Sequence, residues 1–411
     1  MFKKIRNKLS LLGPSLLWAS AAIGVSHIVQ STRAGATYGY ALIVVVVLAN
    51  VLKYPFFEFA TRYTVVKNET VLDGYKKIGN WAIYLYIALT LGTMFTIQAG
   101  VTLVTAAIFE NWLNLDLGLF LSSLMILLSC ILIIKLVKSN FFIKFIKSLI
   151  LVLILSTVAS AILTTNVEAD VASDFLAPEI LSYVGITFVI ALVGWMPSPI
   201  DLSAWSSVWI MERRNANSNF TLRDNTFDFN FSYLTTTILA VIFLVLGANV
   251  FYGSNVEFGA TASGFVNQLV ELYSSLGSGA RNLILLSAFS AMFSTTITCL
   301  DAFPKVLSKC SELVLNERKS KDLLLIIVVV GTLLLIQYFS TEMRRLVDLA
   351  TILSFLTSPF LAYLNYRLIY ASDFPVDSRP HFLIKTLALL GIWFLVIFSF
   401  LFVANKIGLI F

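Results

Sequence analysis

Apolar runs of roughly 20 residues, the length an α-helix needs to cross a hydrocarbon core of about 30 Å, recur from one end of this chain to the other. In lipid the backbone must satisfy its own polar groups, so runs of this kind fold as membrane helices. The spacing predicts helices near 12–34, 38–63, 80–109, 118–138, 142–165, 178–211, 232–253, 282–304, 323–340, 345–370 and 382–408, here α1 to α11. Composition agrees, because 58% hydrophobic and 13% charged residues compare with about 45–50% and 25% in soluble domains. Too few polar residues remain to coat a globule of 411 residues. No long polar segment is left over, which predicts a single membrane domain over 1–411. The first run has basic flanking residues but leads straight into further spans with no small-residue cleavage site, so it does not read as a removable signal peptide.

Charge sets the expected orientation. Lys3, Lys4, Arg6 and Lys8 precede α1, and basic clusters fall in every second loop: Lys67, Lys76 and Lys77; Lys138, Lys144 and Lys147; Arg213, Arg214 and Arg223; Lys305, Lys309, Arg318, Lys319 and Lys321. The intervening loops are poor in Lys and Arg, and the one holding Glu168, Asp170 and Asp174 is acidic; Arg344 and Arg345 are the exception. The N-terminus is therefore expected in the cytoplasm and, with an odd helix count, the C-terminus outside. The net charge of +6 comes from these loops and does not point to nucleic acid; the lipid bilayer is the expected partner. Cys130, Cys299 and Cys310 have no metal-ligand spacing and read as apolar packing.

Two helices carry interruptions. In α1 the stretch Ala21-Ala22-Ile23-Gly24-Val25-Ser26-His27-Ile28-Val29-Gln30-Ser31-Thr32-Arg33 places a glycine and then a polar run at mid-span. In α6 the stretch Val193-Gly194-Trp195-Met196-Pro197-Ser198-Pro199-Ile200-Asp201 has two prolines one residue apart, which remove two backbone donors and clash with the preceding turn. Unwinding is expected near 24–27 and 196–199. The two helices occupy corresponding places if α1–α5 and α6–α10 are repeats, the sign of an inverted-repeat transporter with its site at the bilayer midplane.

At these residues a family resemblance becomes specific. Gly13-Pro14 ahead of α1, Ala34-Gly35-Ala36-Thr37-Tyr38-Gly39-Tyr40 at its end and Met196-Pro197 in α6 resemble the Nramp family of metal-ion symporters. The resemblance implies an all-α integral membrane protein of the LeuT-type fold. Two inverted five-helix repeats, 12–165 and 178–370, would be followed by an accessory helix at 382–408. It also implies a metal site built from an Asp-Pro-Gly-Asn motif in α1 and Met-Pro-His in α6. Here those positions hold Gly24, Val25, Ser26 and His27, and Met196, Pro197 and Ser198. The acids that relay protons in the family's third helix have no counterpart, since 81–109 contains no Asp or Glu. A divalent ion shedding water needs anionic or strongly dipolar ligands, and α1 offers no carboxylate; Asp201, one turn beyond the α6 break, is the nearest acid.

Helix α1 instead presents His27, Gln30, Ser31, Thr32 and Arg33. An intramembrane Arg pairs with an acid or serves function, and Asp348 is an available partner. Donors and two half-helix N-termini suit a small anion. The expected substrate site is Gly24, Val25, Ser26, His27, Gln30, Arg33, Met196, Pro197, Ser198 and Asp201. In LeuT-like transporters sodium sits between α1 carbonyls and adjacent α8 hydroxyls, which here implies Ala22, Ser294 and Thr295 as its ligands. Lys53, Glu58, Thr93, Gln98, Thr351 and Ser354 are expected along the pathway or its gates, with Lys53 and Glu58 facing the cytoplasmic vestibule. The sequence thus predicts a symporter and not an enzyme, with no catalytic residues and no cofactor. Its substrate is a small inorganic anion such as bicarbonate, coupled to sodium, in the plasma membrane. The second reading is a divalent-cation transporter for manganese, iron or magnesium using Met196, Asp201, His27 and carbonyls. A channel comes after both.

Overall fold

The computed structural model describes residues 12–137, 139–164, 175–216, 220–254, 261–264, 266–268, 278–339 and 343–406. Lys3, Lys4, Arg6, Lys8, Lys138, Glu168, Asp170 and Asp174 lie outside these residues, as do the side chains of Arg344 and Arg345. The chain is a helical bundle: α1 in two halves, α1a (Pro14–Ala22) and α1b (Thr32–Tyr38); α2 (Ile43–Lys67); α3 (Asn80–Leu113); α4 (Leu119–Leu136); α5 (Ser139–Thr164); α6a (Tyr183–Trp195) and α6b (Leu202–Ala216); α7 (Leu222–Phe251); α8 (Ser278–Leu315); α9 (Lys321–Phe339); α10 (Met343–Tyr370); and α11 (Phe382–Lys406). Among the described residues, 9 stretches are long and apolar enough to cross a membrane, the first being the 42-residue run Ser26–Lys67. That run holds α1b and α2, and Tyr183–Trp195 of α6 is a shorter apolar helix.

The broken helices lie at the centre. Helix α7 packs along α1b, α1a and α2, α8 along α5, α3 and α1a, and α10 along α3 and α6a. At the tip of α1a, Pro14 has no N–H to satisfy, and the flanking amides of Gly13 and Ser15 donate to the buried Asp228 carboxylate of α7 at 2.9 and 3.0 Å. Trp18 then stacks on Tyr233, centroids 5.1 Å from Phe57 and 5.3 Å from Tyr233, fixing α1a between α2 and α7. The three cysteines are buried and unbridged.

Four boundaries depart from expectation. The α1 break is shorter than 24–27: Ile23 closes α1a, Gly24 is the bend, and the amides of His27 and Ile28 both return to the Gly24 carbonyl. A π-helical turn, Ser26–Ser31, follows at once, because the Ser26 and Ser31 hydroxyls bond carbonyls four and five residues back and loosen the ladder. The α6 break extends to 201 rather than 199. Helix α7 starts ten residues early at a capping box of Thr221 and Asp224, and α8 runs through Pro304 to Leu315. A short helix, Val71–Ile78, begins at a second capping box, Thr70 with Asp73, and joins α2 to α3.

Backbone approach between α1b and α7 rests on two glycines. A Cβ on Gly35 would lie 1.9 Å from the Leu244 carbonyl oxygen, and one on Gly247 2.1 Å from that of Thr32. Gly35→Ala and Gly247→Ala should each lower the melting temperature in detergent, since overpacking costs about 1–3 kcal/mol. Gly92→Ala, with nothing within 4 Å, should leave it unchanged. Equal melting of all three variants would refute the tight α1b–α7 contact.

Candidate functional site

The α6 break arises directly from its prolines. In a continuous helix the amide of residue 197 would bond the Val193 carbonyl, but Pro197 has none, and Met196 leaves the helix with extended backbone (φ −97°, ψ 121°). The Met196 amide turns back to the Val193 carbonyl at 3.3 Å, and the helical ladder ends there. Lys53 of α2, fully buried, reaches the break: Nζ donates to the carbonyls of Val193 at 2.6 Å, Gly194 at 2.8 Å and Ser198 at 3.5 Å. Its three N–H groups match three acceptors. Asp201 stands at the far side of the break and is buried. Its Oδ1 is buried with no hydrogen-bond partner.

The α1 break is closed from α8. Thr295 Oγ1 lies 2.7 Å from the Ser20 carbonyl and 3.2 Å from that of Ile23, with the hydroxyl proton donated toward this pair. Ser294 Oγ donates to Ala291 within its own helix at 2.9 Å. The Ala22 carbonyl, expected beside these hydroxyls, is instead taken by Ser26 Oγ at 2.6 Å. The α1 oxygens facing Thr295 are those of Ser20 and Ile23. Gly24 sits against the same threonine, and a Cβ there would be 2.6 Å from Thr295 Oγ1 and 2.8 Å from Cγ2. No side chain fits at position 24 without moving Thr295.

His27 is buried and engaged at both ring nitrogens, with Ser26 Oγ 2.7 Å from Nδ1 and the Thr236 carbonyl of α7 accepting from Nε2 at 3.0 Å. It ties α1 to α7 rather than facing an open site. Arg33 donates to Gln30 Oε1 at 3.2 Å, lies 3.9 Å from the Asp348 carboxylate of α10 and stands over the Phe188 ring of α6a at 5.4 Å. It therefore links α1b, α10 and α6a. Val25, Met196 and Pro197 are close-packed at the two breaks, and Met196 is fully buried; the Met196–Pro197 peptide is cis.

The remaining pathway residues are scattered. Lys53 and Glu58 are separate: Glu58 pairs with Arg62 at 2.5 Å, and Lys53 faces α6 rather than a vestibule. Gln98 Nε2 donates to the Thr296 carbonyl of α8 at 3.3 Å, Thr93 bonds its own helix at 2.8 Å, and so does Thr351. Ser354 is buried, its hydroxyl without a partner. Among the described residues no three His, Cys, Asp or Glu side chains are placed to hold a metal ion.

Sequence reasoning missed three features. Asp228 was placed outside α7, although the Thr-x-x-Asp box at 221–224 marks the earlier start. Asp301 accepts from Trp209 Nε1 at 2.8 Å and pairs with Lys305 at 2.8 Å, and Lys305 also reaches Glu212 at 2.7 Å, so these residues join α6b to α8. Buried N–H donors without acceptors also gather on the broken helices: Trp18 Nε1 and Gln30 Nε2 on α1, Trp195 Nε1 and Trp205 Nε1 on α6. Indole and amide residues flanking the interruptions were the available signal.

A family model described as natural resistance-associated macrophage protein-like matches residues 15–405. An uncharacterized protein of Pasteurella multocida is 33% identical over 410 residues, covering 98% of this chain and 94% of that one. The fold is similar to a manganese transporter of Eremococcus coleocola, solved with an aromatic bis-isothiourea substituted compound. That likeness has a TM-score of 0.76 at 16% identity over 97% of this chain and 87% of that one. A Na+-coupled sialic acid symporter in its substrate-bound outward-open state is similar with a TM-score of 0.61 at 11% identity, over 96% and 90% of the two chains.

The contact between Gly24 and Thr295 is testable by a double-mutant cycle. Gly24→Ala should destabilise the protein by about 1–3 kcal/mol, and Thr295→Ala should recover part of that loss when combined with it. Thermal unfolding of the four proteins measures this; strictly additive effects would show that the two positions do not touch.

Proposed function

The chain belongs to the Nramp family of membrane transporters, and within it we propose a secondary symporter that carries a small inorganic anion such as bicarbonate, driven by sodium. The observation that carries this reading is the surplus of donors on α1 and α6. Among the described residues of α1 and α6, the buried N–H groups of Trp18, Gln30, Trp195 and Trp205 lack acceptors, against one partnerless carboxylate oxygen, on Asp201, and the partnerless hydroxyls of Ser15, Ser20, Thr32 and Ser206. An oxyanion supplies acceptors and is favoured where donors stand preorganised in a dry site. The crowding at Gly24 supports the same reading, because the position at which the family carries its metal-binding carboxylate has no room for one here.

Sodium is assigned to the oxygens between α1 and α8: the carbonyls of Ser20 and Ile23 with the hydroxyls of Thr295 and Ser294. Neutral oxygens suffice for a monovalent ion. Arg33, with Gln30, Phe188 and Asp348, forms the closure on the side away from the basic loops. By the distribution of Lys and Arg that side faces out of the cell, with the N-terminus in the cytoplasm and the chain in the plasma membrane. Repeats 12–165 and 178–370 move against each other around the two breaks, with the last helix as an accessory.

Transport of a divalent metal is the second reading. It is favoured by Met196, retained where the family places a soft ligand, and by the likeness to a manganese transporter.

Uptake into proteoliposomes decides between them. Labelled bicarbonate should enter faster with an inward sodium gradient, and labelled manganese should not accumulate. Thr295→Val, which keeps the shape and deletes the hydroxyl, should abolish the sodium stimulation, whereas Thr295→Ser should preserve it. Saturable manganese uptake that ignores sodium would overturn the anion reading.

A further inference from the structure

We propose that the Lys53 ammonium is a resident cation of the α6 break, filling the carbonyl seat that a dissociable metal ion would need and thereby setting the substrate class of the site. This deepens the anion reading above and rests on it for the word substrate, though not for the occupancy of the seat.

The argument begins with what surrounds Nζ. Three main-chain carbonyls, Val193, Gly194 and Ser198, converge on it at 2.6, 2.8 and 3.5 Å. Convergent carbonyls freed by a helix break are the usual way a transporter builds a cation site within the membrane. Here the cation is covalently part of α2. Lys53 is not a stray surface lysine folded inward, since it is fully buried and each of its N–H groups has an acceptor. The carbonyls belong to α6 and its break, whereas the residue that claims them comes from α2.

The second observation is Asp201. Its Oδ1 is buried and partnerless, and it stands in the same break, three residues beyond Ser198. The break therefore already holds one positive and one negative group. Removing the positive one leaves three carbonyls and a carboxylate in a dry space, an oxygen set suited to a hard or borderline divalent cation. An uncompensated buried carboxylate is costly, so the vacated seat should recruit a cation from solution. A lysine acting only as a cap for α6a predicts instability on its removal, but no gain of metal binding.

The test uses the full-length protein in detergent and Mn2+ as the probe, with bound metal read from loss of the free-ion EPR signal. Wild type and Lys53→Arg, which keeps the charge, should show no saturable binding. Lys53→Met should bind Mn2+ saturably and melt higher in its presence, and adding Asp201→Asn should cancel both gains. Should Lys53→Met not fold, Lys53→Gln keeps donors for the carbonyls without the charge and should show the same gain. Saturable binding by wild type, or a folded neutral variant no better than wild type, overturns the proposal. Bicarbonate uptake measured in parallel separates the two inferences. Wild type that carries no bicarbonate, beside a neutral variant that gains Mn2+, removes the anion reading and leaves the resident cation standing. The opposite pair of results removes only the resident cation.

Discussion

A helix that breaks inside a bilayer leaves carbonyls and amides that lipid will not satisfy, and each one left bare costs several kcal/mol. The centre of this protein is organised around that obligation. At α6 it is met by a charge, the Lys53 ammonium on Val193, Gly194 and Ser198. At α1 it is met by hydroxyls, Thr295 on Ser20 and Ile23 and Ser26 on Ala22. Each break is thus held by a neighbour, α6 by α2 and α1 by α8, and the four helices form one polar centre inside an apolar bundle.

Away from the centre the same chemistry fixes the ends. Asp228 takes the amides flanking Pro14, and Lys305 gathers Glu212 and Asp301 so that α6b and α8 meet through charge. Lys309 bonds Asp73 of the connecting helix at 2.9 Å. At the opposite end, Arg33 joins α1b to α10 and α6a. Ionic contacts therefore join the helices at both ends of the bundle. Glu212 and Asp348 are half-exposed, whereas Asp228 and Asp301 are buried, so the two ends are held by contacts of unequal exposure.

The helices were legible because apolar runs of membrane length have few other solutions, and the α6 break was legible because prolines cannot donate. The partners that close the breaks were not. Nothing in the spacing of Lys53 and Glu58 along α2 tells that one turns to α6 while the other pairs with Arg62 one turn on. His27 stood at a substrate position by resemblance, yet the carbonyl that holds it, Thr236, lies 209 residues away in the chain. Boundaries failed where capping boxes at Thr70 and Thr221 were overlooked. They failed again where the hydroxyls of Ser26 and Ser31 draw the start of α1b into a π-turn. Those errors are local, whereas the missing partners are tertiary and invisible to any window along the chain.

The join between α1b and α2 has one more consequence. Gly39, with φ of +58°, and a single 3-10 turn, Gly39–Leu42, are all that separates the two helices. Such an elbow is short, four residues carrying the chain from one helix into the next. One arm carries Arg33 and the other carries Lys53. The guanidinium over Phe188 and the ammonium at Val193 both contact α6a. Both charges that reach α6a therefore hang from the two sides of one short join in the chain.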